Sequence, residues 1–167
     1  MESWRRLDEA CEAEARELLR ACCGSTRWVE EMARRRPFGG QASLQSWARE
    51  AWWALGEHDW REAFAHHPRI GDRDALERRF PATAHLSAAE QRGVENGGRD
   101  VLTALAEANR IYEETFGYIF IVCARGRSAQ DMLALLRGRL RNDPALEIHI
   151  AASEQAKITA LRLADLR

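Results

Sequence analysis

Residues 87–117 read SAAEQRGVENGGRDVLTALAEANRIYEETFG, and this stretch decides the fold. It opens with a capping box, in which Ser87 can bond forward to a backbone amide while Glu90 reaches back. Apolar side chains then recur every three or four residues, at Leu102, Leu105, Tyr112 and Phe116. With Gly117 as a stop, this spacing predicts one long amphipathic helix. Asn109 interrupts the stripe, so its amide is expected to bond backbone or a neighbouring loop, with a site role as the alternative.

Residues that begin or end helices recur along the rest of the chain, whereas the alternation of apolar and polar residues that is typical of strands is nearly absent. The predicted fold class is therefore all-α. A length of 167 residues suits one core. We therefore expect a single-domain helical bundle of about seven to nine helices over residues 1–167. The apolar run at residues 118–124 is too short for an amphipathic helix and is expected to be a buried extended segment. The six tryptophans are expected in the core.

Other helix boundaries follow from capping residues and apolar spacing. Leu7, Cys11, Ala15, Leu18 and Cys22 repeat at three and four residues, which predicts one helix that Gly24 ends. Further helix starts are predicted from polar or proline residues in front of apolar stripes. These starts are Ser25, Ser43, Asp59, Ser128 and Pro144.

Composition and charge limit the class of protein. A hydrophobic fraction of 46%, a charged fraction of 31% and a net charge of -1 describe an ordinary globular protein. Such a balance provides no general field for nucleic acid or an anionic membrane, so neither partner is expected. The triplet Arg34-Arg35-Arg36 resembles a nucleic-acid patch, but cations in a last helical turn before Pro37 are the favoured interpretation. Without an apolar segment after residues 1–6, we expect a cytoplasmic protein.

The cysteines give a weaker signal. Cys11, Cys22, Cys23 and Cys123 lack CxxC spacing, which favours buried reduced thiols. A metal site built from Cys22-Cys23 and the histidines is the alternative, although sequence neighbours on a helix are poor chelating partners.

The first candidate site is HHPRIGD at residues 66–72. Because Pro68 lacks an N–H and restricts the residue before it, an arriving helix should stop near His67. The negative end of that helix favours an imidazolium there. Gly71 can then adopt a positive φ, and Asp72 can cap the next helix. The alternative is a polar loop that happens to hold a histidine pair.

Two further patches remain once the core stripes are set aside. Glu90 and Gln91 stand at a helix N-terminus, whose free N–H groups favour an anion or a carbonyl oxygen. Capping by Ser87 and ligand binding would then compete for the same atoms. Arg162 flanks the apolar residues of the last helix, where it either contributes to a site or lies along apolar surface.

Taken together in chain order, these motifs closely resemble those of the OHCU decarboxylases, the 2-oxo-4-hydroxy-4-carboxy-5-ureidoimidazoline decarboxylases of uric acid breakdown. The resemblance runs over nearly the whole chain. Its residues are His67-Pro68-Arg69-Ile70-Gly71-Asp72, Ser87-Ala88-Ala89-Glu90-Gln91, Asn109, Tyr112, Phe116-Gly117, Arg139-Leu140, Asn142, Glu147, Ile158 and Arg162-Leu163.

The resemblance implies an all-α homodimer that converts OHCU, a small-molecule substrate, into (S)-allantoin and CO2 with no metal and no cofactor. It makes His67 the catalytic acid and gives Arg162 a binding role. Glu90 is assigned a catalytic part, in which it orients the substrate or His67. The remaining substrate contacts that it implies are Pro68, Ser87, Ala88, Ala89, Glu90, Gln91 and, through backbone groups, Phe120, Ile121, Val122, Cys123 and Ala124.

Two other readings stay open at this point. A metal hydrolase could use His58, His66, His67 and Asp72, and a noncatalytic helical module could use the same pocket for binding alone.

Overall fold

The computed structural model describes residues 2–67 and 88–166, and the side chains of residues 2–67 and 100–166. Within these ranges the chain forms eight helices and no strand, which confirms the all-α fold class and the expected number of helices. They are α1 (Ser3–Glu9), α2 (Glu12–Cys22), α3 (Thr26–Arg34), α4 (Gln41–Trp53), α5 (Glu57–Ala65), α6 (Ala88–Phe116), α7 (Ala129–Arg139) and α8 (Pro144–Asp165). None of the helices in this described part is long and apolar enough to cross a membrane.

The chain divides into two compact units. The first unit comprises Met1–His67 and Ile148–Arg167, and the second comprises Pro68–Glu147. Helices α1 to α5 and most of α8 therefore build the first unit, while α6 and α7 build the second.

The core of the first unit is organised by buried indole rings. Trp28 donates its ring N–H to the carbonyl of Ala48 at 3.0 Å, and Trp52 donates to the carbonyl of Ala152 on α8, also at 3.0 Å. These bonds satisfy the only polar atom of each ring and so allow full burial. The expectation of core tryptophans is wrong for Trp53, which is 42% exposed.

The stretch from Leu7 to Cys22 contains two helices, so the prediction of one continuous helix is wrong. The backbone is extended at Ala10 and Cys11, and Cys11 is exposed. Arg36 accounts for the break, because its guanidinium donates to the carbonyls of Asp8 and Ala10 at the end of α1. The distant arginine thus satisfies carbonyl groups that a continuing helix would otherwise have paired.

The predicted caps are confirmed in two of the three serine cases. Ser25 accepts a hydrogen bond from the Trp28 amide at 3.3 Å, and Ser128 forms a reciprocal capping box with Asp131. Ser43 is not a cap, because α4 begins at Gln41, directly after an extended Gly40.

The arginine triplet behaves as a last-turn feature. Arg34 bonds Glu31 at 3.1 Å, Arg35 bonds Glu50 at 3.0 Å, and Arg36 reaches the backbone at the end of α1. Arg34 lies in the last turn of α3 and Arg35 is its C-cap, as predicted, and all three cations are engaged within the first unit.

The long helix of the second unit is α6, and it ends where predicted. Gly117 adopts a φ of 77°, a left-handed conformation that suits glycine at a helix stop. Asn109 is 9% exposed and donates to the carbonyl of Leu105 at 2.9 Å, which confirms the backbone role of its amide. Ser87 lies outside the described residues, so its capping box stays a prediction.

The segment at residues 118–124 lacks helix or strand, as predicted, and it is buried at Tyr118 and at residues 120–122 but only half-buried at Ile119, Cys123 and Ala124. Phe120, Ile121 and Val122 are each at most 4% exposed. The burial expected of the cysteines holds for Cys22 and Cys23 but is wrong for Cys11, which is exposed, and for Cys123, which is half-buried.

Candidate active site

The helix that delivers His67 ends as the proline rule predicts. Helix α5 stops at Ala65, and the amides of His66 and His67 donate to the carbonyls of Ala63 and Phe64 at 3.2 and 3.1 Å. These i to i−3 bonds tighten the last turn and hold the backbone of His67 at the helix exit. Its side chain is half-buried.

A series of buried hydrogen bonds holds the imidazole of His67. Its Nε2 lies 2.5 Å from Oε1 of Gln155, which is fully buried on α8. The amide nitrogen of Gln155 donates to the hydroxyl of Thr159 at 3.1 Å. The ring is therefore anchored to α8.

The thiols of Cys22 and Cys23, at the end of α2, are neutral. Burial raises the pKa of Cys23 to about 11 and that of Cys22 to about 12. Such thiols are weak nucleophiles at neutral pH. The two thiols therefore add no charge to this part of the first unit.

Gly24 permits a close approach between α2 and α5. A Cβ atom at this position would lie 2.6 Å from Cδ2 of His66 and closer still to its Cγ and Cβ. The sequence analysis treated Gly24 only as a helix stop. The structure adds that the glycine provides the space in which His66 packs, one residue before His67.

Replacing Gly24 with alanine is therefore expected to displace the end of α5. Overpacking at such a site costs about 1–3 kcal/mol. We expect a lower urea midpoint for Gly24→Ala and, if His67 is catalytic, a several-fold lower kcat. Gly138→Ala is the matched control, because a Cβ there meets nothing within 4 Å inside α7. Alanine favours the helix interior, so the control should be neutral or slightly more stable. Wild-type stability in Gly24→Ala would contradict the packing.

Arg162 lies on the same face of α8 as the partner of His67. Residues 155, 159 and 162 are spaced i, i+4 and i+7, which places them on one helical face over about 10 Å. The Nη1 atom of Arg162 lies 3.4 and 3.3 Å from the carbonyls of Ala21 and Cys22 at the end of α2. A cation at a helix C-terminus is favourable, so Arg162 has a structural contact whether or not it binds a ligand.

Two arginines hold the segment at residues 120–124 in the second unit. Arg139 donates from Nη1 to the carbonyl of Ile121 at 2.7 Å, and Arg127 donates from Nε to the carbonyl of Cys123 at 3.1 Å. The guanidinium of Arg139 also lies 4.6 Å from the ring centre of Phe120. The backbone groups that the sequence analysis assigned to substrate contact are thus positioned by side chains from α7 and the turn before it.

A buried carboxylate holds Arg139 in turn. Glu147 is 0% exposed, and its carboxylate accepts from Tyr112 at 2.5 Å, from Arg139 Nε at 2.7 Å and from Asn142 at 2.7 Å. Burial, followed by the bond to Glu147, raises the pKa of the Tyr112 phenol well above its usual range. The sequence analysis named these residues within a motif and gave them no role; in the structure they form one hydrogen-bonded cluster.

The predicted site residues fall into two groups by unit. His67 and Arg162 lie in the first unit, while residues 88–91 and 120–124 lie in the second. Pro68 and Ser87 are outside the described residues. Ala88, Ala89, Glu90 and Gln91 form the first turn of α6, and their side chains are outside the described part. The substrate contacts assigned to these residues stay predictions.

Gln155 is the residue of this site that sequence reasoning missed. One signal was available, because an amide among the apolar residues of α8 needs buried partners, as Asn109 does on α6. That signal points to a hydrogen bond without identifying His67 as its partner.

The similarity of this chain to known proteins covers residues of both units. The family model described as OHCU decarboxylase matches residues 8–164. A uric acid degradation bifunctional protein, TTL, of Arabidopsis thaliana is 36% identical over 148 residues, which are 88% of this chain and 45% of that protein. A 2-oxo-4-hydroxy-4-carboxy-5-ureidoimidazoline decarboxylase of Amia calva is 38% identical over 106 residues, 60% of this chain and 57% of that protein. The chain therefore spans about half the length of these two relatives.

A solved structure gives the same family. A crystal structure of an OHCU decarboxylase in the presence of (S)-allantoin matches with a TM-score of 0.71 and 38% identity, covering 88% of this chain and 94% of that one. A crystal structure of an (S)-allantoin synthase, 18% identical with a TM-score of 0.69, covers 97% of this chain and 53% of that one and shares the fold. The chain belongs to the OHCU decarboxylase family.

Proposed function

We propose that this protein decarboxylates OHCU to (S)-allantoin and CO2 in uric acid breakdown, without a metal or cofactor. The observation that carries the proposal is His67, held at the exit of α5 by the buried amide of Gln155. The similarity supports it, because the family model spans both compact units. On that basis we treat residues 1–167 as one OHCU decarboxylase-like domain.

The chemistry explains why few side chains suffice. The departing carboxylate of OHCU is attached next to a C=N carbon, so the electron pair released with CO2 flows into the ring. The protein must hold the breaking bond perpendicular to that π system and deliver one proton to a single face. We assign this proton delivery to His67, since it is a titratable group fixed at a helix exit.

The resemblance implies substrate contacts at residues 87–91 and 120–124, and the roles below are our proposal for them. Glu90 orients the substrate or His67, and Gln91 bonds the ureido or ring amides at the N-terminal turn of α6, where the helix dipole favours an electron-rich group. Residues 120–124 offer backbone groups, and the bond from Arg139 to the Ile121 carbonyl supports that role by holding the segment in place.

The direct test is to generate OHCU in situ from urate and to follow circular dichroism. Because unassisted decay gives racemic allantoin, an active protein should accelerate formation of optically active product. Ligand affinity without CO2 release would favour a noncatalytic module, and loss of activity on chelation would favour a metal hydrolase. Full activity with a chelator and an optically active product would support the proposal.

A homodimer and a cytoplasmic location complete the proposal, as the sequence analysis expected. Light scattering of the purified protein tests the dimer, and a monomer at working concentration would contradict it.

Arg162→Lys tests which part of the substrate Arg162 binds, the carboxylate or the ring or ureido oxygen. A cation on the carboxylate would bind the charged ground state more tightly than the transition state, in which the departing CO2 loses its charge, and so would raise the barrier. We therefore expect Arg162 to bind the ring or ureido oxygen. Loss of one charge-assisted bond, worth about 1.4 kcal/mol, should raise KM about tenfold and leave kcat unchanged. Arg137→Lys, at an exposed position on α7, is the control. An increase in kcat alone would contradict this geometry.

A further inference from the structure

We infer that Gln155 is a positioning residue that fixes the Nε2–H form of His67 and assigns proton transfer to Nδ1. This inference rests on the proposed function of His67 as a proton donor. It adds which ring nitrogen acts and which distant side chain selects it.

The first step concerns the atoms in contact. Gln155 presents Oε1 to Nε2 of His67 at 2.5 Å, and an amide oxygen can only accept a hydrogen bond. His67 must therefore carry a proton on Nε2 in both its neutral and its charged form. A neutral ring then has its lone pair on Nδ1, while the imidazolium has an N–H there.

The second step concerns what keeps the amide in this orientation. Gln155 is 0% exposed, and its amide nitrogen donates to Thr159 at 3.1 Å. Turning the amide over would place N–H groups at His67 and would require Thr159 to donate instead. Both ends of the amide are thus committed, and the burial of Gln155 leaves no water to compensate for a reversed amide.

The third step is the proton transfer itself. As the C–CO2 bond breaks, its electron pair enters the ring of the substrate, and the same pair then forms the new C–H bond. The proton comes from Nδ1 of the imidazolium, which becomes neutral His67 with the proton on Nε2 retained. Solvent reprotonates Nδ1 before the next turnover. Because Nε2 keeps its hydrogen bond to Gln155 throughout, the ring need not rotate between steps.

The tautomer can be measured without any substrate. In full-length protein labelled with ¹⁵N-histidine, the His67 signals are identified by their loss in His67→Asn. Above the titration of the ring, we expect the Nε2–H tautomer, with Nδ1 of the unprotonated type. In Gln155→Met we expect this preference to be lost. A neutral wild-type ring protonated on Nδ1, or an unchanged tautomer in Gln155→Met, would overturn the inference.

The kinetic arm separates positioning from stability. Gln155→Met should lower kcat about tenfold with KM within about twofold, because the ring is no longer aligned. Gln155→Glu retains an acceptor oxygen and should recover part of kcat. Gln45→Met is the matched control, since Gln45 also donates to α8, at the carbonyl of Ala160, without touching His67. If Gln45→Met lowers kcat as much as Gln155→Met, the effect is structural and the inference fails.

The two arms also distinguish this inference from the proposed function. A wild-type protein with the Nε2–H tautomer but without stereoselective acceleration would overturn the decarboxylase proposal and the catalytic use of Nδ1. Acceleration combined with the opposite tautomer would support the proposed function and overturn the assignment of Gln155.

Discussion

Turnover of OHCU is expected to fall about 10²- to 10⁴-fold in His67→Asn, the range that positioned proton transfer contributes in enzymes. Folding should survive, because His67 is only half-buried at the exit of α5. The measurement is kcat from the circular dichroism assay, with thermal unfolding and binding of a product analogue recorded beside it.

Two neighbouring histidines serve as controls for His67→Asn. The side chain of His58 is 96% exposed, and that of His66 packs on Gly24. Asparagine at either position should leave kcat near normal, and near-normal activity in His67→Asn would remove His67 from the proton step. The proposed reaction in the wild-type protein should also slow as pH rises and the imidazolium of His67 is lost, because only the imidazolium carries a proton on Nδ1. A flat pH profile would contradict that role.

Glu147→Leu is expected to cost about 3–5 kcal/mol of unfolding free energy, the usual penalty for leaving a buried charge without its partner. Arg139 is 8% exposed, and its Nη2 lies 2.6 Å from the Glu147 carboxylate. Tyr112 and Asn142 lose an acceptor in the same variant. Urea unfolding measures the loss. Because Arg139 also holds the Ile121 carbonyl, KM for OHCU should rise in whatever fraction stays folded.

The double variant Glu147→Leu with Arg139→Met tests the cause. Removing both charges should recover much of the stability, since an apolar pair of similar volume often replaces a buried ion pair without loss. Glu107→Leu on α6 is the surface control, because its ion pair with Arg110 is exposed and should matter little. If Glu147→Leu is as stable as the wild type, the buried cluster does not stabilise the second unit.

Features that depend on neighbours in sequence could be predicted. The Ser25 and Ser128 caps, the stop at Gly117 and the stripe of α6 involve groups within about one helical turn, so the spacing contains the physical cause. The break after α1 could not be predicted in this way. Its cause is Arg36, whose carbonyl partners at Asp8 and Ala10 are 28 and 26 residues away.

The candidate site also contains one residue that could be predicted from its neighbours in sequence and one that could not. His67 was recognisable because Pro68 follows it directly and ends the helix that carries it. Gln155 is 88 residues from His67, and nothing in the local sequence of α8 indicates which group its amide meets. Only the packing of the end of α5 against α8 shows that the tautomer of the histidine depends on this helix.

Gly24 has a consequence for anyone who wishes to make this protein more heat-resistant. Glycine-to-alanine exchange is a routine way to stiffen the unfolded chain and raise the melting temperature. A redesign that applied it at every glycine without a positive φ would include Gly24, where the ring of His66 occupies the space of the added methyl group. Gly138 accepts the same change in open space. Stabilising substitutions should therefore be placed outside the junction of α2 and α5.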